Sequence, residues 1–186
     1  MTRLCAAALL AFSLLPLAAC REKAAETPAD TSAPAPVEDT AAAPLVPADL
    51  YFPDDTGNLT AERADFPGSP TELRIGKLVE GLIAGPKDST GVLHPPLPPT
   101  TTVGGVLVLD GVAYVDLRGE NGGPPPAVGS MDEQMILYSL VDTIALNTPG
   151  VERVVLLWNG SQRETFAGHF DTTRPLSPDK GLIASR

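Results

Sequence analysis

The chain has 186 residues, of which 13 are lysine or arginine and 23 are aspartate or glutamate, so its formal net charge is −10. A surface this acidic repels phosphate backbones and anionic lipid headgroups, which argues against nucleic acid and against peripheral binding to a lipid surface as partners. After the N-terminal segments, about 140 residues remain, which suits one domain with one hydrophobic core.

Residues 1–19 have the features of an export signal. Arg3 precedes an apolar run, Leu4–Leu17, and two small residues, Ala18 and Ala19, stand immediately before Cys20. The run is too short for a spanning helix and has the flanks of a cleaved signal peptide. We therefore predict that the protein is exported and that residues 1–19 are removed.

The residues Leu17-Ala18-Ala19-Cys20 resemble the lipobox of bacterial lipoproteins, in which the cysteine thiol accepts a diacylglyceryl group. The resemblance implies lipidation of Cys20 and attachment to a membrane through acyl chains. Lipoproteins without aspartate at the position of Arg21 usually reach the outer membrane, so the resemblance implies a location there, facing the periplasm, in a cell that has one. The alternative is an ordinary secretory signal that ends near a chance cysteine.

The positions of the two cysteines limit which thiol-dependent sites the mature protein can contain. Cys5 leaves with the signal and Cys20 carries the lipid. The mature domain then has no thiol for a disulfide, a thiolate metal site or a cysteine nucleophile.

The segment after the lipidated cysteine is predicted to be a tether. Residues 20–47 consist mainly of alanine, proline, threonine and acidic residues, with few large apolar side chains. Such a segment cannot bury enough apolar surface to offset its chain entropy. We therefore expect 20–47 to be disordered and to hold the folded part away from the membrane.

A strand and a helix open the predicted domain. Residues 49–52 predict a short strand. Ser69, Pro70 and Glu72 stand at the positions of an N-cap serine, a first-turn proline and the glutamate of a capping box, and they predict a helix start. Gly85-Pro86 predicts the helix end. The apolar residues between these signals recur at helical spacing: Ile75, Leu78, Val79, Leu82 and Ile83.

A second amphipathic helix is predicted before Pro149-Gly150. Ser130 and Glu133 repeat the capping-box spacing at its start. Its apolar stripe consists of Ile136, Leu137, Leu140, Val141 and Ile144.

Each helix is followed by a hairpin signal. Asp110-Gly111 and Asn159-Gly160 are preferred two-residue loops, because both positions require a positive φ. The predicted strand pairs are Val106–Leu109 with Val112–Leu117, and Val151–Trp158 with Gln162–Phe166. The order β-α-ββ-α-ββ predicts a single α+β domain with two helices packed on one face of a mostly antiparallel sheet.

Two stretches rich in proline and glycine, 87–104 and 118–129, are predicted to be irregular. They contain the runs His94-Pro95-Pro96-Leu97-Pro98-Pro99 and Gly122-Gly123-Pro124-Pro125-Pro126. We expect both stretches to form mobile surface segments.

Several segments, taken in order, resemble the GerMN domain of bacterial envelope lipoproteins. They are Leu82-Ile83-Ala84-Gly85-Pro86, Val115-Asp116-Leu117, Val141-Asp142-Thr143 with Pro149-Gly150-Val151-Glu152-Arg153-Val154, and Gly168-His169-Phe170-Asp171. We place the GerMN-like domain at 48–176 and a C-terminal tail at 177–186. The resemblance implies an extracytoplasmic α+β module without established catalytic activity, whose spore-forming members act in assembling an envelope-spanning complex.

His169, Asp171 and Arg174 lie close together in the sequence and form the main candidate site. A metal site would need a further ligand such as His94, and no two-histidine motif is present. A hydrolase would need a nucleophile, but no serine lies in a nucleophile-elbow pattern. We therefore favour a structural role, in which Gly168 permits a bend, the polar side chains bond nearby backbone and Asp171 pairs with Arg174.

Trp158 stands immediately before the Asn159-Gly160 turn. We interpret it as an aromatic residue of the core or of the sheet edge. The alternative is a platform on which a sugar ring stacks, with Tyr138 nearby as a second aromatic residue.

These observations favour a non-catalytic, lipid-anchored extracytoplasmic interaction module that contributes to a cell-envelope assembly through a protein partner. They predict no catalytic residue, metal or other cofactor. The first alternative is a module that binds peptidoglycan or another glycan. The second alternative is an enzyme that acts on cell-wall material through His169 and Asp171.

Overall fold

The computed structural model describes residues 43–185. The predicted signal peptide, the predicted lipidation site Cys20 and most of the predicted tether lie outside these residues. No helix in the described part of the chain has the length and hydropathy needed to cross a bilayer.

The chain enters the fold through an antiparallel hairpin of β1, Leu45–Pro53, and β2, Leu59–Pro67. The turn between them is closed by the carboxylate of Asp54, which accepts the backbone N–H groups of Thr56 and Asn58. The sequence pattern predicts only the centre of β1 and does not predict β2. Leu45 to Pro47, which were expected in the tether, belong to β1 because they pair with the end of β2.

The first helix, α1, spans Thr71–Ala84 and buries all five apolar residues of the predicted stripe. Its start differs from the prediction. Pro70 occupies the N-cap position and no side chain caps the helix, so the capping box expected from Ser69 and Glu72 does not form. Burial of the apolar stripe, rather than a side-chain cap, stabilises this helix.

The second helix, α2, spans Ser130–Asn147 and runs through the centre of the domain. Its N-cap is Gly129, again without a side-chain cap. Ser130 is therefore the first helical residue, and the side chain of Glu133 is free to bond elsewhere. The apolar residues predicted for this helix are all buried: Ile136, Leu137, Leu140, Val141 and Ile144.

Four strands form the second sheet, in the spatial order β3-β4-β5-β6. Their bounds are β3 Thr102–Leu109, β4 Val112–Arg118, β5 Arg153–Trp158 and β6 Ser161–Gln162. Both predicted hairpin turns have positive φ at their two central residues, Asp110-Gly111 and Asn159-Gly160. Strands β4 and β5 are parallel because α2 connects them as a crossover.

The helices and both sheets share one core. Helix α1 contacts β1, β2 and β3, while α2 contacts β1, β5 and α1. The predicted α+β class is confirmed, with β2 as an additional strand. The residues buried in this core with no exposed surface include Phe52, Leu78, Leu82, Val115, Leu117, Leu137, Leu140 and Val154.

The chain after β6 is irregular and contacts the domain at several points. Leu176 exchanges two backbone hydrogen bonds of 2.8 Å with Val154 at the sheet. Further along, the N–H of Asp179 donates to the carboxylate of Asp142, and the N–H of Ala184 donates to the carbonyl of Leu59. Two short 3₁₀ helices, Glu120–Gly122 and Lys180–Leu182, lie in the irregular segments.

Candidate functional site

The predicted His169 cluster is attached to a buried carboxylate, that of Glu133 on α2. Glu133 is fully buried, and its oxygens accept backbone N–H groups from Ala167 at 2.8 Å, His169 at 2.8 Å and Phe170 at 3.3 Å. The Nδ1 atom of His169 lies 2.9 Å from the same carboxylate. Gly168 has a φ of 116°, so the predicted bend uses a backbone conformation that favours glycine.

The charge of Glu133 is set by two opposing effects. Burial acts to raise its pKa, because a buried carboxylate loses hydration. The hydrogen bonds from Ala167, His169 and Phe170 outweigh burial and hold the pKa of Glu133 below its ordinary value. The carboxylate therefore stays ionised at neutral pH, and the half-exposed His169 ring lies beside a negative charge. This geometry locks a loop onto a helix.

Asp171 does not join the pair formed by Glu133 and His169. Its carboxylate accepts the hydroxyl of Thr173 at 2.6 Å and the N–H of Thr173 at 2.8 Å, and these bonds lower the pKa of Asp171. The predicted ion pair of Asp171 with Arg174 is not found within 4.0 Å among the ion pairs of residues 43–185, although the charge of Arg174 contributes to the lowered pKa of Asp171. His169 and Asp171 therefore bond different groups.

Sequence reasoning missed Glu133, because the spacing after Ser130 indicated a capping box. A different signal was present. Glu133 precedes Ile136, Leu137 and Leu140 by three, four and seven positions, so it shares their apolar helical face. An acidic residue on a buried face requires hydrogen-bond partners, and such a position marks it as a site of specific contacts.

A metal site would also need His94 as a ligand. His94 does not take part in the contact between Glu133 and His169, and its ring pairs with another carboxylate. Its Nε2 atom is 2.6 Å from Oδ1 of Asp55. Within residues 43–185, no group of three or more histidine, cysteine, aspartate or glutamate side chains is placed to hold a metal ion. His94 and His169 are each engaged with a different carboxylate.

Trp158 is part of the core. The side chain is only 4% exposed, its Nε1 atom donates to the carbonyl of Gly123 at 2.8 Å, and its ring meets that of Phe166 edge-on with centroids 5.5 Å apart. Tyr138, the second aromatic residue considered for glycan stacking, is half-buried on α2. A ring packed in this way presents no free face to a sugar, which agrees with the interpretation of Trp158 as a core residue.

A groove of about 610 Å³ lies among the described residues. We call it the proline groove. It is bounded by the turn after β1 (53–57), the proline run 94–99 and the first turns of α2, with Pro126 and Val128 beside them. This volume lies in the range of ligand pockets, about 300–1,000 Å³.

Hydrogen bonds hold the walls of the proline groove in place. The N–H of His94 donates to the carbonyl of Pro53 at 2.9 Å, and Leu93 forms a β-bridge with Asp54. Leu97 and Ile136 are buried at the base of the groove, whereas Met131 at its rim is 58% exposed. The groove is therefore a built surface with an exposed apolar edge.

A comparison with protein families identifies the family to which the chain belongs. The sequence model of the Germane family, described as sporulation and spore germination, matches residues 49–164, more than half of the chain. The chain belongs to the Germane family. The resemblance to a GerMN domain inferred from the sequence is thereby confirmed. No curated protein matches the chain in sequence.

Solved structures share the fold of this Germane domain. The first GerMN domain of the sporulation protein GerM from Bacillus subtilis aligns with a TM-score of 0.56 and 23% identity, over 73% of this chain and 98% of that one. A structure described as "Putative Lipoprotein from Clostridium perfringens" aligns with a TM-score of 0.52 and 24% identity, over 72% and 87%. The tandem GerMN domains of GerM align with a TM-score of 0.55 and 23% identity over 72% of this chain, which spans 46% of that structure.

The two candidate sites differ in their position relative to the segment that the Germane model matches. All residues that line the proline groove, from Pro53 to Ile136, lie within the matched segment 49–164. The loop held by Glu133, with His169 and Asp171, follows the end of that segment. The groove therefore lies wholly within the matched segment, and the His169 loop follows that segment in the chain.

Proposed function

We propose that the protein is a non-catalytic, lipid-anchored extracytoplasmic module that contributes to a cell-envelope assembly by binding a protein partner. Membership of a family described by sporulation and spore germination supports a role in the envelope. The similarity to a protein described as a lipoprotein supports attachment through a lipid on Cys20. In this proposal the outer membrane, where the cell has one, carries the protein on its periplasmic face.

The observation that carries the proposal is the proline groove. It combines a concave surface of about 610 Å³ with an exposed apolar rim at Met131. Exposed apolar surface beside a concavity is a feature of binding sites. The His169 loop, by contrast, uses its polar groups to bond Glu133 and its own backbone, which supports a structural role.

Partner capture in intact cells tests the proposal. A full-length protein with a C-terminal affinity tag is crosslinked in cells, and captured species from wild type and from Cys20→Ser are identified by mass spectrometry. We expect the wild type to capture one defined envelope protein, and Cys20→Ser to lose it. Capture of cell-wall fragments without a protein would overturn the proposal in favour of a peptidoglycan-binding module.

Lipid attachment is tested separately by metabolic labelling with a clickable palmitate analogue. We expect label on the wild type and none on Cys20→Ser. Cys5→Ser is the matched control, because Cys5 lies within the predicted signal and its loss should leave labelling intact. A labelled Cys20→Ser protein would show that this cysteine is not the lipid attachment site.

A catalytic role is tested through His169. Purified protein is incubated with purified cell-wall material, and soluble products are measured for the wild type and His169→Ala. The proposal expects no turnover from either protein. Turnover by the wild type that disappears in a folded His169→Ala variant would establish the enzyme alternative.

A further inference from the structure

We propose that the proline groove receives a cationic segment of a partner polypeptide, in which an apolar side chain is flanked by lysine or arginine. This inference rests on the proposed function, because it names the chemistry of the partner at the same surface. It is carried by the charges along the groove, by the prolines of its wall and by the exposed apolar rim.

The charges along the groove are predominantly negative. Three carboxylates line it, those of Asp54, Asp55 and Asp132, and neither lysine nor arginine is among its lining residues. The single lining histidine, His94, pairs with Asp55. A cationic partner would meet complementary charge here, whereas an anionic one would be repelled.

The negative charge of Asp54 is held in place by the turn that it closes. Burial acts to raise its pKa, but hydrogen bonds from Thr56, Asn58 and Thr60 outweigh that effect and lower the pKa of Asp54. Its two oxygens therefore remain anionic at neutral pH. Asp132 is exposed in the first turn of α2, where the helix dipole also favours a carboxylate.

Prolines restrict the backbone of the apolar wall of the groove. Pro95, Pro98 and Pro99 present exposed rings, and the fixed φ of proline limits the conformations of this wall. A preorganised wall loses little conformational entropy when a ligand binds. Exposed Met131 adds a flexible thioether that adapts to the shape of an incoming side chain.

The same charges disfavour other occupants. A second copy of this chain would bring another molecule with a net charge of −10 to a negative groove. Phosphate groups and anionic lipid headgroups meet the same repulsion. The exposed side chain of Met131 continues the apolar lining to the edge of the groove, which favours an extended polypeptide over a small amine.

Binding of defined peptides to the purified full-length protein tests the inference. The probes are three fluorescein-labelled pentapeptides: Lys-Leu-Lys-Leu-Lys, Glu-Leu-Glu-Leu-Glu and Lys-Ser-Lys-Ser-Lys. We expect measurable binding of the first peptide at low salt, weaker binding of the serine peptide and none of the acidic peptide. Binding should weaken as salt rises, because the paired charges are exposed.

Charge variants test whether the peptide binds at the proline groove. The double variant Asp55→Asn, Asp132→Asn removes two groove carboxylates and should weaken binding of Lys-Leu-Lys-Leu-Lys by about tenfold. The matched control is Asp65→Asn, Glu152→Gln, which removes two exposed carboxylates that do not line the groove. Equal loss in both double variants would show a general effect of net charge and would overturn the inference.

Methionine NMR gives an independent readout. The chain has three methionines, and both Met131 and Met135 line the groove. With ¹³C-methyl methionine, the peptide should shift the Met131 resonance, and unchanged Met131 and Met135 signals at saturating peptide would contradict the inference. If partner capture in cells succeeds while these peptide experiments fail, the proposed function as an interaction module is retained. Only the inference that the partner segment is cationic is then wrong.

Discussion

The carboxylate of Glu133 and the imidazole of His169 lie 36 residues apart in sequence and within 2.9 Å in the fold. The same carboxylate also accepts the N–H groups of Ala167, His169 and Phe170. One buried side chain of α2 thus bonds the loop of Ala167 to Phe170 to the helix. The segment that the sequence presents as a candidate site is, in the fold, a loop attached to α2 through Glu133.

Replacing Glu133 by glutamine should destabilise the protein more than replacing His169 by alanine. Glutamine keeps one acceptor oxygen but places an NH₂ group against backbone donors, so we expect a loss of about 2–4 kcal/mol. His169→Ala removes the ring contact and leaves the three backbone bonds, so we expect a loss of about 1 kcal/mol. Urea unfolding of the purified variants measures both losses.

Glu72→Gln is the matched control for Glu133→Gln. Glu72 is an exposed glutamate in the first turn of the other helix. We expect its replacement to change stability by less than about 0.5 kcal/mol. Similar losses for both glutamine variants would contradict the role assigned to Glu133.

Asp142 should make the stability of the protein fall as pH rises from about 4 to about 6. Burial, and the charge of Asp179, raise the pKa of Asp142 from 3.8 to about 6, although the Asp179 N–H and the Lys180 charge act in the opposite direction. Between these values the folded protein binds a proton that the unfolded chain has released, so ionisation of Asp142 costs stability, at most about 3 kcal/mol.

The variant Asp142→Asn tests whether ionisation of Asp142 lowers the stability of the protein as pH rises. It keeps an acceptor for the N–H of Asp179, which bonds Asp142 at 2.9 Å, and it removes the titrating group. As pH rises from 4 to 7, we expect the free energy of unfolding of Asp142→Asn to increase relative to that of wild type. A difference that stays constant across this range would contradict the prediction. Asp110→Asn, at an exposed hairpin turn, serves as the control.

Arg74 should not tolerate replacement by lysine. The residue is 4% exposed, and its guanidinium donates to three backbone carbonyls, those of Asn147 at 3.0 Å, Pro67 at 3.1 Å and Pro47 at 3.4 Å. An ammonium group cannot reach all three, so we expect Arg74→Lys to lose about 3 kcal/mol, measured by urea unfolding. The exposed Arg153→Lys should change stability little, and equal effects of the two substitutions would contradict this role.

The elements with strong local signals were predictable from sequence. Both helices carry apolar stripes, and both hairpins turn on residue pairs that favour positive φ, so neighbouring residues are sufficient to specify them. Strand β2 has no such signal, because Glu62, Arg63 and Asp65 interrupt its apolar pattern. It is a strand because it pairs with β1, and that pairing also extends β1 to Leu45.

The candidate sites depend on contacts between distant parts of the chain. The proline groove combines Asp55, His94 and Met131, which belong to three separate segments, and no sequence spacing brings them together. The run 94–99 was predicted to lie in an irregular surface segment, and the charge and shape of that surface emerge only when the turn after β1 and the start of α2 pack beside it. The role of Glu133 is hidden for the same reason.

Trp158→Phe should lower stability without affecting any binding to cell wall. Phenylalanine keeps an aromatic ring against Phe166 but loses the Nε1 donor to Gly123 at 2.8 Å, which leaves the carbonyl without that bond. We expect a loss of about 1–3 kcal/mol in urea unfolding. Cosedimentation with purified peptidoglycan compares wild type, Trp158→Phe and the control Tyr114→Phe, at a partly buried tyrosine of β4, under conditions where all three are folded. Because the indole is buried, we expect the three proteins to cosediment equally, whereas selective loss of sedimentation by Trp158→Phe would indicate that Trp158 stacks on a sugar.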